Sequence, residues 1–112
     1  MHIESSVNET TLTMRLAGEL DLVVAEKFKS EADKLLLQYK PKILILNLEA
    51  VPFIDSSGLG AILGRYKKIS ETGGKVILTS VKAPVKRILE LSGFHKIMEI
   101  YSEEEFIMEG QG

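Results

Sequence analysis

Asp55-Ser56-Ser57, followed by Gly58-Leu59-Gly60, is the stretch of this chain whose residue types and spacing are best suited to chemistry. A serine hydroxyl at the start of a helix has three uses. It caps the helix by accepting a backbone N–H, attacks an electrophile once a base activates it, or carries a phosphate. The flanking residues predict that helix start. Upstream, Ile43-Leu44-Ile45-Leu46-Asn47-Leu48 reads as a strand buried on both faces. Downstream, Leu59, Ile62, Leu63, Tyr66 and Ile69 recur at helical spacing. The serines therefore fall where the C-terminal end of a buried strand feeds a helix. Such a place exposes free N–H groups and the positive end of a helix dipole, and α/β folds gather their sites there. Asp and Ser are ordinary caps as well. Two candidate caps in succession exceed the needs of one helix and leave a hydroxyl spare.

Other chemistries find less support. Gly58-x-Gly60-x-x-x-Gly64 has the look of a dinucleotide-binding turn, but its glycines fall inside the helix and too little sheet follows. Neither a phosphate loop ending in Gly-Lys-Ser/Thr nor a Gly-x-Ser-x-Gly nucleophile elbow is present. The two histidines, His2 and His95, lie far apart in sequence, which argues against a His-based metal site and against a serine triad. Cysteine is absent, so disulfides, thiol catalysis and thiolate metal sites are excluded. Glu19 and Asp21 have the types of an acid/base pair, but a helix cap and a solvated carboxylate account for them more simply. No catalytic residue, metal ligand or cofactor is expected on this chain.

The elements that must hold the serines can be read from periodicity. Ile3, Ser5 and Val7 alternate with period two, Asn8-Glu9 interrupts, and Leu12, Met14 and Leu16 resume, which predicts a β-hairpin with one face on a core. Gly18-Glu19-Leu20-Asp21 closes the second strand. Asp21 is the N-cap of a helix marked by Val24, Phe28, Ala32, Leu35, Leu36 and Tyr39 and ended by Pro41. Beyond the serine helix, Gly73-Gly74 stops the coil and Lys75 to Thr79 forms a strand. Pro84 opens a helix with Val85, Ile88 and Leu89 that ends at Gly93, and Ile97 to Ile100 is a last strand. Ser102-x-x-Glu105 is a capping box for a C-terminal helix holding Phe106 and Ile107. The order β-β-α-β-α-β-α-β-α predicts one α/β domain over residues 1–112. Its mixed sheet has four to five strands, an antiparallel hairpin and then parallel strands, with the helices mainly on one side.

Bulk properties set the limits. The 112 residues suit one domain, and 45% hydrophobic content supplies a single core. A formal net charge of −2 gives no electrostatic reason to expect nucleic acid. No run approaches the roughly 18 apolar residues of a membrane span, and the start lacks the basic-then-apolar pattern of a secretory signal. No membrane association and a cytoplasmic location are expected.

Phe53-Ile-Asp-Ser-Ser-Gly-Leu-Gly-Ala-Ile-Leu-Gly-Arg-Tyr66 resembles the phosphorylation segment of the anti-sigma factor antagonists, which are bacterial STAS-domain proteins. The likeness is greatest to their sporulation members, which counteract an anti-sigma F factor. Gly18-Glu-Leu-Asp21 and Ala83-Pro-Val-Lys-Arg-Ile-Leu-Glu-Leu-Ser-Gly93 resemble two further blocks of that family, so the resemblance spans nearly the whole chain. It implies a single STAS domain that is not an enzyme but a binding module and a kinase substrate. The unphosphorylated form would bind an anti-sigma factor and release its sigma factor. That anti-sigma factor, itself a serine kinase, would phosphorylate Ser57 and so free itself, and a serine phosphatase would restore the hydroxyl. ATP would sit on the kinase and not on this chain. The partner-binding surface would comprise Glu19, Asp21, Asp55, Ser56, Ser57, Gly58, Leu59 and Gly60, on a chain that is monomeric when free. In one respect the chain departs from the sporulation members. They often carry histidines after the Asp of Gly-Glu-Leu-Asp, whereas Leu22-Val23 follow here, either widening the partner contact or extending the buried stripe of the helix. The alternative reading is a STAS scaffold or signalling module without direct sigma-factor control.

Overall fold

The computed structural model describes residues 2–103. The hairpin forms as expected from β1 (His2–Asn8) and β2 (Thr11–Ala17), with Glu9 in the left-handed region at the turn. There follow α1 (Leu22–Tyr39), β3 (Ile43–Ala50), α2 (Ser56–Ser70), β4 (Lys75–Val81), α3 (Ala83–Leu91), a single 3-10 turn over Phe94–Lys96, and β5 (Glu99–Ser102). The five strands make one sheet in the order β1-β2-β3-β4-β5. β1 runs antiparallel to β2, and every other pair is parallel. Each parallel strand lies next to its predecessor, so successive crossovers of one hand deliver their helices to one face.

That face holds the core. Leu12, Met14 and Leu16 of β2, Leu44, Leu46 and Leu48 of β3, and Val76 and Leu78 of β4 meet Phe28 and Ala32 of α1, Ala61, Ile62 and Ile69 of α2, and Val85 and Leu89 of α3. The opposite face stays half-open, since Thr11, Thr13 and Arg15 of β2 and Ile43, Ile45 and Asn47 of β3 are only partly buried. The expectation that β3 is buried on both faces is therefore corrected. A parallel strand needs continuous burial only when layers cover both sides, and here the covering helices leave one side open.

Strand ends and the burial of one residue differ from the sequence reading. β4 continues two residues beyond Thr79, and β5 begins at Glu99 instead of Ile97. Ile97 and Met98 serve the 3-10 turn, donating their N–H groups back to Phe94. Tyr39, expected on the buried stripe of α1, is 48% exposed in the last turn of that helix. The expected C-terminal helix with Phe106 and Ile107 lies outside the described residues. No helix among the described residues is long and apolar enough to cross a membrane.

α1 and α2 are joined by a charged contact that periodicity did not foretell. Arg65 is 5% exposed, on the inner side of α2. Its Nε lies 3.0 Å from Asp33 Oδ1 of α1, and Lys68 Nζ lies 3.0 Å from the other oxygen of the same carboxylate. The Arg65–Asp33 contact is an ion pair without hydrogen-bond geometry, and Arg65 Nη1 has no partner among the described residues.

Candidate functional site

Two loops at the C-terminal edge of the sheet build the site. β2 slips register against β3 between Arg15 and Ala17, and Gly18 turns with φ of 113°, a value that suits glycine. The chain is thereby led across to the loop after β3. Gly18 donates to the Ala50 carbonyl at 2.9 Å, Leu20 to that of Phe53 at 2.9 Å, and Asp55 to that of Leu20 at 3.3 Å. Leu20 and Ile54 form an isolated parallel bridge, and both side chains are buried. These two residues pin the loops to the core. Their neighbours Glu19, Asp21, Phe53 and Asp55 alternate to the outside. The Gly-Glu-Leu-Asp segment and the serine segment, more than thirty residues apart in sequence, thus lie side by side.

Each loop ends in an aspartate that caps the following helix, and the two caps have nearly the same backbone shape. Asp21 has φ and ψ of −95° and −171°, and Asp55 −107° and −173°. Asp21 Oδ1 accepts from the Val24 N–H at 3.1 Å. Asp55 Oδ1 accepts from the N–H groups of Ser57 at 2.9 Å and Gly58 at 3.1 Å. The helix start is therefore less open than the sequence suggested. Of the four N–H groups that a helix leaves unpaired at its start, those of Asp55, Ser57 and Gly58 are taken, and only that of Ser56 lacks a partner among the described residues. The carboxylate of Asp55 already occupies the place an anion would take at the dipole.

Because Asp55 supplies the cap, both serine hydroxyls are released from that task. Ser56 is exposed and Ser57 partly so, and neither hydroxyl has a hydrogen-bond partner among the described residues. Gly58 is buried. A Cβ there would lie 2.5 Å from the Leu20 carbonyl oxygen and 2.8 Å from side-chain carbons of Leu20 and Ile54. Its place is in the joint between the loops and not on the outer surface. Leu59 is half-buried against the core, while Gly60 is exposed with open space where a side chain would be. Glu19 is exposed and Asp21 half-buried.

Three apolar residues are exposed on the two bridged segments. Leu22 and Val23, the first two residues of α1, are 60% and 66% exposed, and Phe53 is 47% exposed. The buried-stripe reading of Leu22-Val23 is thereby excluded. The stripe of α1 starts one residue later, at Val24 and Ala25. A signal for this was present in the sequence, because Leu22 and Val23 follow the cap and precede the periodic set. Phe53 opens the serine block. Its strand-like alternation with Ile54 carried the signal of its exposure.

Among the described residues no general-base geometry joins Ser57 to His95. His95 sits in the 3-10 turn beside Lys75 and Val76, at the end of β4 remote from the serines. It is thus out of reach as a general base. Asp21 and Asp55 are engaged as caps. Among the described residues no three His, Asp or Glu side chains are grouped to hold a metal ion.

Comparison with known proteins agrees with this geometry. The STAS domain family matches residues 2–107. An anti-sigma F factor antagonist of Paenibacillus polymyxa is 39% identical over 104 residues, covering 93% of this chain and 89% of that protein. The anti-sigma factor antagonist SpoIIAA in its unphosphorylated form superposes with a TM-score of 0.73 at 27% identity over 99% of each chain. The Bacillus cell fate determinant SpoIIAA in its phosphorylated form also gives 0.73, at 29% identity over 96% of this chain and 98% of that one. The chain belongs to the STAS domain family, among its anti-sigma factor antagonists.

Proposed function

We propose that this chain is an anti-sigma factor antagonist switched by phosphorylation of Ser57. The unphosphorylated form binds an anti-sigma factor that is also a serine kinase, and so releases a sigma factor. The kinase, which carries the ATP, transfers phosphate to Ser57 and lets go, and a serine phosphatase resets the cycle. The chain itself is a monomeric cytoplasmic substrate and binding module with no catalytic role and no cofactor. One observation carries this reading: Ser57 is partly exposed at the rim of the bridged loops, its hydroxyl has no hydrogen-bond partner among the described residues, and His95 lies at the other end of the sheet.

Electrostatics decides how the switch acts. A phosphate adds about −1.5 to −2 charges. At a helix N-terminus this is stabilising by about 0.3–1 kcal/mol at an exposed site. Asp55 already holds two of the N–H groups there, so the gain falls toward the lower end and nothing in the helix is broken. Inside an interface the same phosphate is costly, because a buried charge without a matched cation loses several kcal/mol of hydration. Every 1.4 kcal/mol is tenfold in affinity. The fold therefore persists while the complex fails. Equal similarity of this chain to both forms of SpoIIAA supports a switch that leaves the fold in place.

The test is phosphate transfer. Incubation with ATP and the anti-sigma F factor of Paenibacillus polymyxa should add one phosphate, located at Ser57 by tandem mass spectrometry, and none to Ser57→Ala. Phosphate at Ser56, or an unmodified wild-type chain, contradicts the proposal.

A further inference from the structure

We propose that Leu22, Val23 and Phe53 form an apolar anchor that holds the anti-sigma kinase, separate from the hydroxyl that the kinase modifies; this rests on the function proposed above. The starting point is the similarity of the two caps. Asp21 and Asp55 stand at equivalent places beyond the Leu20–Ile54 bridge. The first two helical residues after each are therefore counterparts, Leu22-Val23 on α1 and Ser56-Ser57 on α2. One helix start presents hydroxyls and the other presents hydrocarbon, 60% and 66% exposed, with Phe53 at 47% on the loop between them.

Leu22 and Val23 on one helix start and Phe53 on the neighbouring loop are exposed together, and clustered exposed hydrocarbon marks an interaction site. Position commits it to the kinase. Val23 and Ser57 are each three residues from the bridged pair, and Leu22 and Phe53 are nearer. At the reach of an extended chain, each lies within about 11 Å of the bridge along the backbone. A protein–protein footprint of about 800 Å² per partner is about 32 Å across. A kinase footprint centred on the bridge therefore reaches Ser57, Leu22, Val23 and Phe53 together. The surrounding carboxylates of Glu19, Asp21 and Asp55 define the partner's complement, an apolar recess flanked by lysine or arginine. A few well-packed, desolvated side chains carry most of the affinity in such contacts, and aromatic residues such as Phe53 are enriched at their cores. The anchor sets which kinase is held, and Ser57 sets whether it stays.

The prediction separates binding from chemistry. With the Paenibacillus polymyxa anti-sigma F factor as the probe, Leu22→Ser/Val23→Ser and, independently, Phe53→Ser should raise KM for Ser57 phosphorylation about tenfold or more, with kcat within about twofold of wild type. Leu91→Ser is the control: Leu91 is 83% exposed, on the C-terminal turn of α3, and should leave both constants unchanged. Leu22, Val23 and Leu91 are mostly exposed, and Phe53→Ser tests the anchor without touching α1. Unaltered KM in both anchor variants, or an equal rise in Leu91→Ser, overturns the anchor while leaving the phosphorylation reading intact. A wild-type chain that the kinase does not modify overturns that reading itself.

Discussion

Gly58 is glycine because the carbonyl of Leu20 stands 2.5 Å from where its Cβ would be. That oxygen also accepts the N–H of Asp55, so it cannot retreat without loosening the cap that frees the serines. Gly60, two residues on, faces open space. The pair predicts opposite outcomes for one chemical change. Gly58→Ala should lower stability by about 1–3 kcal/mol through overpacking against backbone. Gly60→Ala should raise it by about 0.5–1 kcal/mol, the ordinary gain of alanine over glycine in a helix. Urea unfolding of the two variants reads both signs, and a neutral Gly58→Ala would mean that the loops are not held as closely as the bridge implies. The serine block therefore mixes two kinds of residue. Asp55 and Gly58 shape the loop, while Ser56 and Ser57 are what it presents. The sequence placed all four at a helix start but left the N–H groups there open, because only the backbone geometry shows Asp55 turning its carboxylate onto them.

α1 and α2 must stay in register for the two caps to remain level, and Asp33 is the charged link between them. Its carboxylate faces the nearly buried Arg65 at 3.0 Å and Lys68 at 3.0 Å. Asp33→Ala leaves the guanidinium buried without a counter-charge. Breaking a buried pair costs about 3–5 kcal/mol; with Asp33 itself 35% exposed, a loss of about 1–3 kcal/mol is expected, measurable as a lowered denaturation midpoint with the slope unchanged. A variant as stable as wild type would remove Asp33 from the helix joint. At this scale the sequence was most readable. The hairpin, the Asp21 cap, the glycine stop and the proline-led helix follow from local rules that tertiary structure does not override. What it could not give depends on neighbours. Whether Ile43 and Ile45 are covered depends on where the helices stack, whether Arg65 is inside depends on Asp33, and the start of β5 depends on a 3-10 turn whose bonds close on Phe94. The same holds for the site, where Glu19 and the serines were legible as types but their adjacency rests on one buried bridge.

Across the whole molecule, the sheet is the base and the proposed function is confined to one rim. β2 and β3 end side by side, their loops are locked by Leu20 and Ile54, and the core beneath is continuous from β2 to β4. A charge added outside that joint has no buried contact to disrupt. The proposed phosphorylation of Ser57 therefore changes affinity and nothing else. The direct measurement is to prepare the chain phosphorylated at Ser57 and compare it with the unmodified chain, recording circular dichroism melts of each alone and the dissociation constant of each for the ADP-loaded anti-sigma factor. Superimposable spectra and melts, together with an affinity loss of about 100- to 1,000-fold, corresponding to about 3–4 kcal/mol, are predicted. Equal affinities, or an affinity loss that comes with a melted α2, would contradict it.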